Sequence, residues 1–169
     1  MVGDRKIWTF RMNVRCDKPA RSKSQGYGMD ENPVIDGYAA AASALIEPYE
    51  ALSCEEIYQH VIDLMPDAPA RVLDIGAGTG RDAAWLAAEG YAVTAVEPVA
   101  ECRAAGQRLH PEQGSVWKED RLPSLAAIRA QGGQFDMLML GGVWHHLSSL
   151  ERTAAWRSLL ELMAPGAVI

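Results

Sequence analysis

Cysteine is scarce and scattered: Cys16, Cys54 and Cys102 are the only three in 169 residues. An odd, widely spaced set supports neither a disulfide framework nor a metal site. No apolar run approaches the roughly 18 residues of a membrane span. No secretory h-region opens the chain, so the cytoplasm is the expected compartment. Internal repeats and low-complexity tracts are also missing. Nowhere do histidines, cysteines and carboxylates take metal-ligand spacing, and no metal is expected. With 49% apolar residues the chain can bury one good core and no more.

Basic charge is thin outside the N-terminus. Residues 1–29 carry seven Lys or Arg against two Asp, whereas residues 30–169 carry nine basic against twenty acidic side chains. An acidic body argues against wrapping nucleic acid, which needs Lys and Arg to neutralise phosphates. The basic stretch 1–33 has few large apolar residues and no sustained period, so it reads as an unstructured leader before a domain at 34–169. Met29 is a candidate translation start. Deleting residues 1–28 should leave the melting temperature essentially unchanged; a large fall in a thermal scan would show that the segment packs on the core.

What the chain does contain is VLDIGAGTG at 72–80, followed by the alanine-rich RDAAWLAAEG. The order is strand, tight glycine loop, helix, with Gly76, Gly78 and Gly80 allowing close backbone approach to a ligand at a helix N-terminus. The spacing G-x-G-x-G differs from the dinucleotide fingerprint G-x-G-x-x-G, and no G-K-[ST] follows, which excludes a P-loop. Asp74, two places before Gly76, would repel a pyrophosphate but suits an ammonium or sulfonium. Glu97 follows the next expected strand, AVTAV at 92–96, where an acidic side chain takes ribose hydroxyls. A nucleoside with a cationic tail and no phosphates fits both features.

Elements alternate along the chain. A helix is expected at 37–51, interrupted near Pro48. A capping box at Ser53–Glu56 opens a second helix with Ile57, Val61 and Leu64 on one face, stopped by Pro66. Strands are expected near 71–75, 92–96, 115–118 and 135–140, with helices near 80–88, 99–109, 123–131 and 148–163. Ser148 and Glu151 form another capping box. The continuously apolar run after Asp136 suits a parallel strand covered on both faces. This alternation predicts an α/β fold, a Rossmann-like doubly wound parallel sheet, with its ligand outside the strand carboxyl ends at the switch point.

These residues resemble the class I S-adenosylmethionine-dependent methyltransferases. Asp74 to Gly80 is similar to their first motif, Glu97 to the ribose ligand, and Asp120 in WKEDRLP to the adenine-side carboxylate, with Arg121 beside it. FDMLMLGGVWHHL at 135–147 resembles the fourth-strand motif, and LMAPGAVI at 162–169 the start of the next strand, with Ala167 where a second glycine is usual. The resemblance covers about residues 38–169. It implies S-adenosyl-L-methionine as cofactor, held by Asp74, Gly76, Ala77, Gly78, Gly80, Glu97, Asp120, Arg121 and Gly141. It also implies in-line displacement of a sulfonium methyl. The family's Asn-Pro-Pro-Tyr element is replaced by Gly-Gly-Val-Trp at 141–144, which turns the expectation from nucleobases and glutamine toward a small-molecule acceptor.

Several side chains admit two readings. His145 and His146 would reach the crevice, as general bases or as packing residues. Asp120 contacts adenine or caps the segment Arg121–Gln131. Tyr38 and Tyr49 cover the methionine end or simply pack. Trp144 shapes the transfer site or sits in the core. Arg81 is read as solvated rather than as a carboxylate clamp. The resembling fold has seven strands, whereas this sequence stops two or three residues into the fifth, at Ala167–Ile169. The C-terminal strands are therefore expected to be missing and the edge of the fourth strand bare. Self-association through that edge, marginal stability and a non-catalytic, cofactor-binding module then become the alternative expectation.

Overall fold

The computed structural model describes residues 32–111 and 114–169. The leader expected at 1–33 therefore lies almost wholly outside the described residues. The first helix, α1 (Pro33–Glu50), starts four residues before the expected position. Asn32 sets that start: its side chain accepts from the N–H groups of Val34 (3.0 Å) and Ile35 (3.3 Å), with Pro33 at the first helical position. Pro48 does not interrupt α1, because it falls in the last turn, where the helix has only two residues left to run.

The second helix, α2 (Cys54–Tyr58), is much shorter than its apolar pattern suggested. Ser53 accepts from Glu56 N–H, but the chain then turns, and Ile62–Leu64 forms a single 3-10 turn. Tyr58 is pinned inward by α3, as described below. Val61 and Leu64, expected on a buried face, are 40% and 66% exposed.

From there the alternation follows the expected order. The elements are β1 (Arg71–Ile75), α3 (Arg81–Ala88), β2 (Ala92–Val96), α4 (Ala100–Leu109), β3 (Val116–Lys118), α5 (Ala126–Gln131), β4 (Phe135–Met139), α6 (Ser149–Leu162) and β5 (Met163–Val168). All strand pairings are parallel, in the order β3-β2-β1-β4-β5. The order reverses between β1 and β4, where Asp74 is in register with Met139. One face of the sheet buries Leu73, Ile75, Val96 and Leu138 against α5 and α6; the other buries Val72, Val93, Ala95 and Met137 against Ala83 and Leu86 of α3. Adjacent residues of β1 thus serve opposite layers, as a doubly wound sheet requires.

Two further boundaries moved. α5 begins at Ala126 rather than 123, because residues 122–124 form a turn and Leu125 enters with φ +45°. β5 begins at Met163 rather than Ala167 and pairs along β4, with Phe135 opposite Met163 and Met137 opposite Val168 around an irregularity. The outer edge of β4 is therefore covered. The edge passes to β5, whose Pro165 lacks an N–H and whose Gly166 has φ +85°, features that blunt strand pairing. Among the described residues no helix is long and apolar enough to cross a membrane.

Candidate functional site

At the switch point the loop Gly76–Gly80 turns away from β1. The N–H groups of Gly76 and Ala77 donate to Val96 O at 2.7 and 3.0 Å, which ties the loop to the end of β2. A Cβ on Gly76 would stand 2.2 Å from Val143 Cγ2, so this glycine lets the turn after β4 close against the loop. Gly78, at φ +57°, has nothing within 4 Å of an added Cβ, so this side of the loop is open.

Glu97 holds the loop from below. Its carboxylate accepts from Gly78 N–H (2.8 Å) and Val99 N–H (2.8 Å). The side chain is buried, which pushes its pKa up, against the two N–H donors and the charge of Arg103, which lower it. Arg103 was not anticipated from sequence. Its guanidinium donates to the carbonyls of Glu97 (2.6 Å) and Pro98 (2.9 Å) and pairs with Glu119 (2.5 Å), clamping the end of β2.

Asp74 is 3% exposed, and its Oδ2 has no hydrogen-bond partner. Burial first, then the charges of Asp82 and Glu97, raise its pKa to about 8. A buried carboxylate beside two others, with one oxygen lacking a donor, is unfavourable unless a cation completes it.

Asp120 is the cap that its position before a helix suggested. Its Oδ1 accepts from Arg121 N–H (2.8 Å) and its Oδ2 from Ile128 N–H (3.0 Å), in the first turn of α5. That donor pair fixes the carboxylate after β3 and leaves each oxygen a further acceptor site. Arg121 joins this arrangement through its backbone.

Helix α1 spans the loops at the strand ends. Ala42 packs with Val99 and Cys102, joined by Ile35, Tyr38 and Ala39. Tyr38 Oη lies 3.1 Å from His146 Nε2. Glu50 accepts from the Thr79 hydroxyl of the glycine loop, and His110 Nε2 approaches the same carboxylate at 3.0 Å. These contacts join residues up to 108 positions apart. Tyr38 thus does more than pack: it holds the turn after β4.

Within that turn His145 is exposed and His146 half-buried, with ring centroids 3.9 Å apart. Burial and then the charge of His145 lower the pKa of His146, which favours the neutral imidazole. Trp144 packs on the core under α6, edge-on to Trp156 at 6.5 Å and beneath Arg152 at 6.0 Å. Gly141 starts the turn and is exposed.

Arg81 is not solvated. Its Nε donates to Asp82 Oδ1 (2.8 Å), its Nη2 approaches the same oxygen at 2.7 Å, and its Nη1 donates to Tyr49 O (2.8 Å). Asp82 also accepts from Tyr58 Oη at 2.6 Å and from Cys54 Sγ at 3.3 Å. Burial, followed by the Asp82 charge, pushes the Cys54 thiol to about 12 and the Tyr58 hydroxyl above its usual value, so both stay protonated and neither is a nucleophile. This cluster escaped the sequence reading, for it joins residues 24 to 32 positions apart.

Two surface grooves lie elsewhere. One of about 320 Å³ is lined by Pro66, Asp67, Asp136 and Pro165, and one of about 310 Å³ by Pro123, Arg129 and Arg157. Neither includes a residue of the glycine loop.

The segment 73–169, more than half of the chain, matches the family described as a methyltransferase domain. Among solved structures, a TehB-like SAM-dependent methyltransferase from Corynebacterium glutamicum superposes with TM-score 0.58 at 18% identity, over 80% of this chain and 71% of that one. DhpI in complex with SAM and HEP gives 0.63 at 20% identity, over 80% and 62%. The 1,6-didemethyltoxoflavin-N1-methyltransferase of Burkholderia thailandensis, with 1,6-didemethyltoxoflavin and S-adenosylhomocysteine bound, gives 0.61 at 22% identity, over 78% and 57%. The chain thus spans between 57% and 71% of the lengths of these three proteins. No curated protein sequence matches it. With its parallel five-stranded sheet, its glycine loop at the switch point and the family match beginning inside β1, this chain belongs to the class I methyltransferase-domain family.

Proposed function

We propose that this protein binds S-adenosylmethionine and transfers its methyl group to a small-molecule acceptor. The observation that carries the reading is Asp74: a buried carboxylate beside the glycine loop whose Oδ2 lacks any donor. A cation fits there and a pyrophosphate does not, since Asp82 and Glu97 add negative charge to the same end of the crevice. This disfavours a dinucleotide oxidoreductase.

In this reading the backbone of Gly76, Ala77, Gly78 and Gly80 lies along the cofactor, with Gly141 on the opposite wall. Glu97 takes the ribose diol and Asp120, with Arg121, borders the adenine. When bound, the cofactor supplies an activated sulfonium methyl for in-line displacement. The chain's own work is positioning and exclusion of water. Helix α1 serves the second task by bridging the glycine loop through Glu50 and the turn after β4 through Tyr38. His145 and His146 border the acceptor side, and the neutral imidazole of His146 suits an acceptor that must lose a proton. A small, aqueous acceptor and cofactor agree with a cytoplasmic location.

Glu97→Ala should weaken S-adenosylmethionine binding by about 1.5–3 kcal/mol, the range for hydrogen bonds to a charged group. Isothermal calorimetry on the folded variant is the check, with NAD as the control ligand. An unchanged dissociation constant removes the ribose assignment, and tight NAD binding removes the cofactor reading itself.

A further inference from the structure

Helix α1 has little apolar hold on the rest of the fold. Of its eighteen residues only Ala42 is fully buried, against Val99 and Cys102 at the start of α4, with Ile35, Tyr38 and Ala39 half-buried around it. Its last turn is fastened by polar contacts instead. The Thr79 hydroxyl donates to Glu50 Oε1, and Glu50 Oε2 lies 3.0 Å from His110 Nε2 just past the end of α4. Arg81 Nη1, in the first turn of α3, donates to Tyr49 O at 2.8 Å. One carboxylate thus ties α1 to the glycine loop and to α4, while α3 holds the residue before it.

Thr79 is 2% exposed and stands between Gly78 and Gly80. Its carbonyl would lie 2.6 Å from a Cβ on Gly106, so the loop rests on α4 through that carbonyl and is bonded to α1 through the hydroxyl. The Glu50 carboxylate is confined between Thr79 on one oxygen and the buried His110 Nε2 on the other. A segment with few buried apolar contacts opens at far lower cost than the core. Here the polar contacts at the helix end decide how often that happens.

We propose that Glu50 and Thr79 form the latch of a cover: α1 lifts its last turn off the glycine loop to let the cofactor in or out, and their contact sets the rate of that exchange. This rests on the S-adenosylmethionine reading above, in which the cofactor lies along Gly76–Gly80, and goes beyond it, because Glu50 governs exchange rather than affinity. The contact runs between protein groups alone, so it is made with or without the cofactor and bars entry and exit alike. A side chain that only supports the binding surface would slow exit and leave entry unchanged.

The test is a stopped-flow measurement of S-adenosylhomocysteine binding to the full chain. Thr79→Val keeps the side-chain shape and loses the donor; Glu50→Ala removes the acceptor at a helix end that tolerates alanine. Each should raise the association and dissociation rate constants together, by roughly fivefold or more, while the dissociation constant changes by less than about threefold. The double variant should be no faster than Glu50→Ala alone, because both substitutions break one contact. If Glu50→Ala does not fold, Thr79→Val gives the result. A rise in the dissociation rate alone, with affinity falling by the same factor, would make Glu50 a support of the binding surface and overturn the latch. Unchanged rates in both variants, or additive effects in the double variant, would overturn it as well. Any of these results with wild-type protein that binds S-adenosylhomocysteine removes the latch and keeps the cofactor reading; wild-type protein that does not bind it refutes that reading and the latch with it.

Discussion

Gly106→Ala should destabilise the protein, although it exchanges glycine for the best helix former in the middle of α4. In an open helix that exchange stabilises by about 1 kcal/mol. Here the added Cβ would lie 2.5 and 2.6 Å from the Trp117 ring and 2.6 Å from Thr79 O. The ring has nowhere simple to go, because it also fills the space beside Gly80, at 2.6 Å from a Cβ there. The carbonyl belongs to the glycine loop itself. Overpacking of this kind costs about 1–3 kcal/mol, which outweighs the propensity gain. Chemical denaturation should give a net loss of up to about 2 kcal/mol, and cofactor binding should weaken because Thr79 must move. Gly37→Ala is the matched control: it is also inside a helix, with nothing within 4 Å of the new Cβ, and should stabilise. If both variants gain stability alike, Trp117 does not wedge the loop.

That contact marks the boundary of what the sequence discloses. The path of the glycine loop, with Asp74 on the strand before it and Glu97 after the next strand, was legible because it is set locally. A strand ending in an acid, three glycines and a helix start specify one backbone path within about ten residues. The strands β1, β2 and β4 were legible for a similar reason, being short apolar runs bounded by turn residues. Trp117 against Gly106, Tyr58 on Asp82, Tyr38 on His146 and Glu50 on Thr79 leave no such trace, since each joins distant parts of the chain through one polar or aromatic contact.

The misplaced boundaries have a related cause. In Met163–Val168 the Pro165–Gly166 pair reads as a turn, and only pairing with β4 around an irregularity makes the segment a strand. The helix opening at Ser53 has a correct start signal, but its end is set by Tyr58 docking on α3, not by its own periodicity. Asp120 is the converse case. Capping of the segment Arg121–Gln131 was one of its two readings, yet the helix starts only at Ala126, and Asp120 reaches Ile128 N–H across the turn in between.

Asp74 gives the other large effect. In the empty protein its carboxyl titrates near 8, raised chiefly by burial and then by Asp82 and Glu97, with Arg81 opposing and the protonated Tyr58 alongside. Unfolded, the same group titrates near its ordinary value of 3.8. The unfolded chain therefore releases this proton first, and the group's contribution to stability is greatest at acid pH and falls as pH rises from about 4 to 8. Each unit of difference corresponds to about 1.4 kcal/mol, so the penalty above pH 8 is several kcal/mol. Asp74→Asn keeps the shape and cannot ionise. It should match wild type near pH 4 and exceed it clearly at pH 9 in denaturant titrations, while losing most affinity for S-adenosylmethionine. Binding of the cationic cofactor to wild type should release a proton between pH 6 and 7.5, measured as a dependence of the calorimetric heat on buffer ionisation enthalpy, and that release should vanish in Asp74→Asn. A variant less stable than wild type at pH 9 would mean that Asp74 is ionised and satisfied in the empty protein, with a donor where the structure has none. The expected pattern is instead a site held out of its own stability optimum so that a cation can complete it.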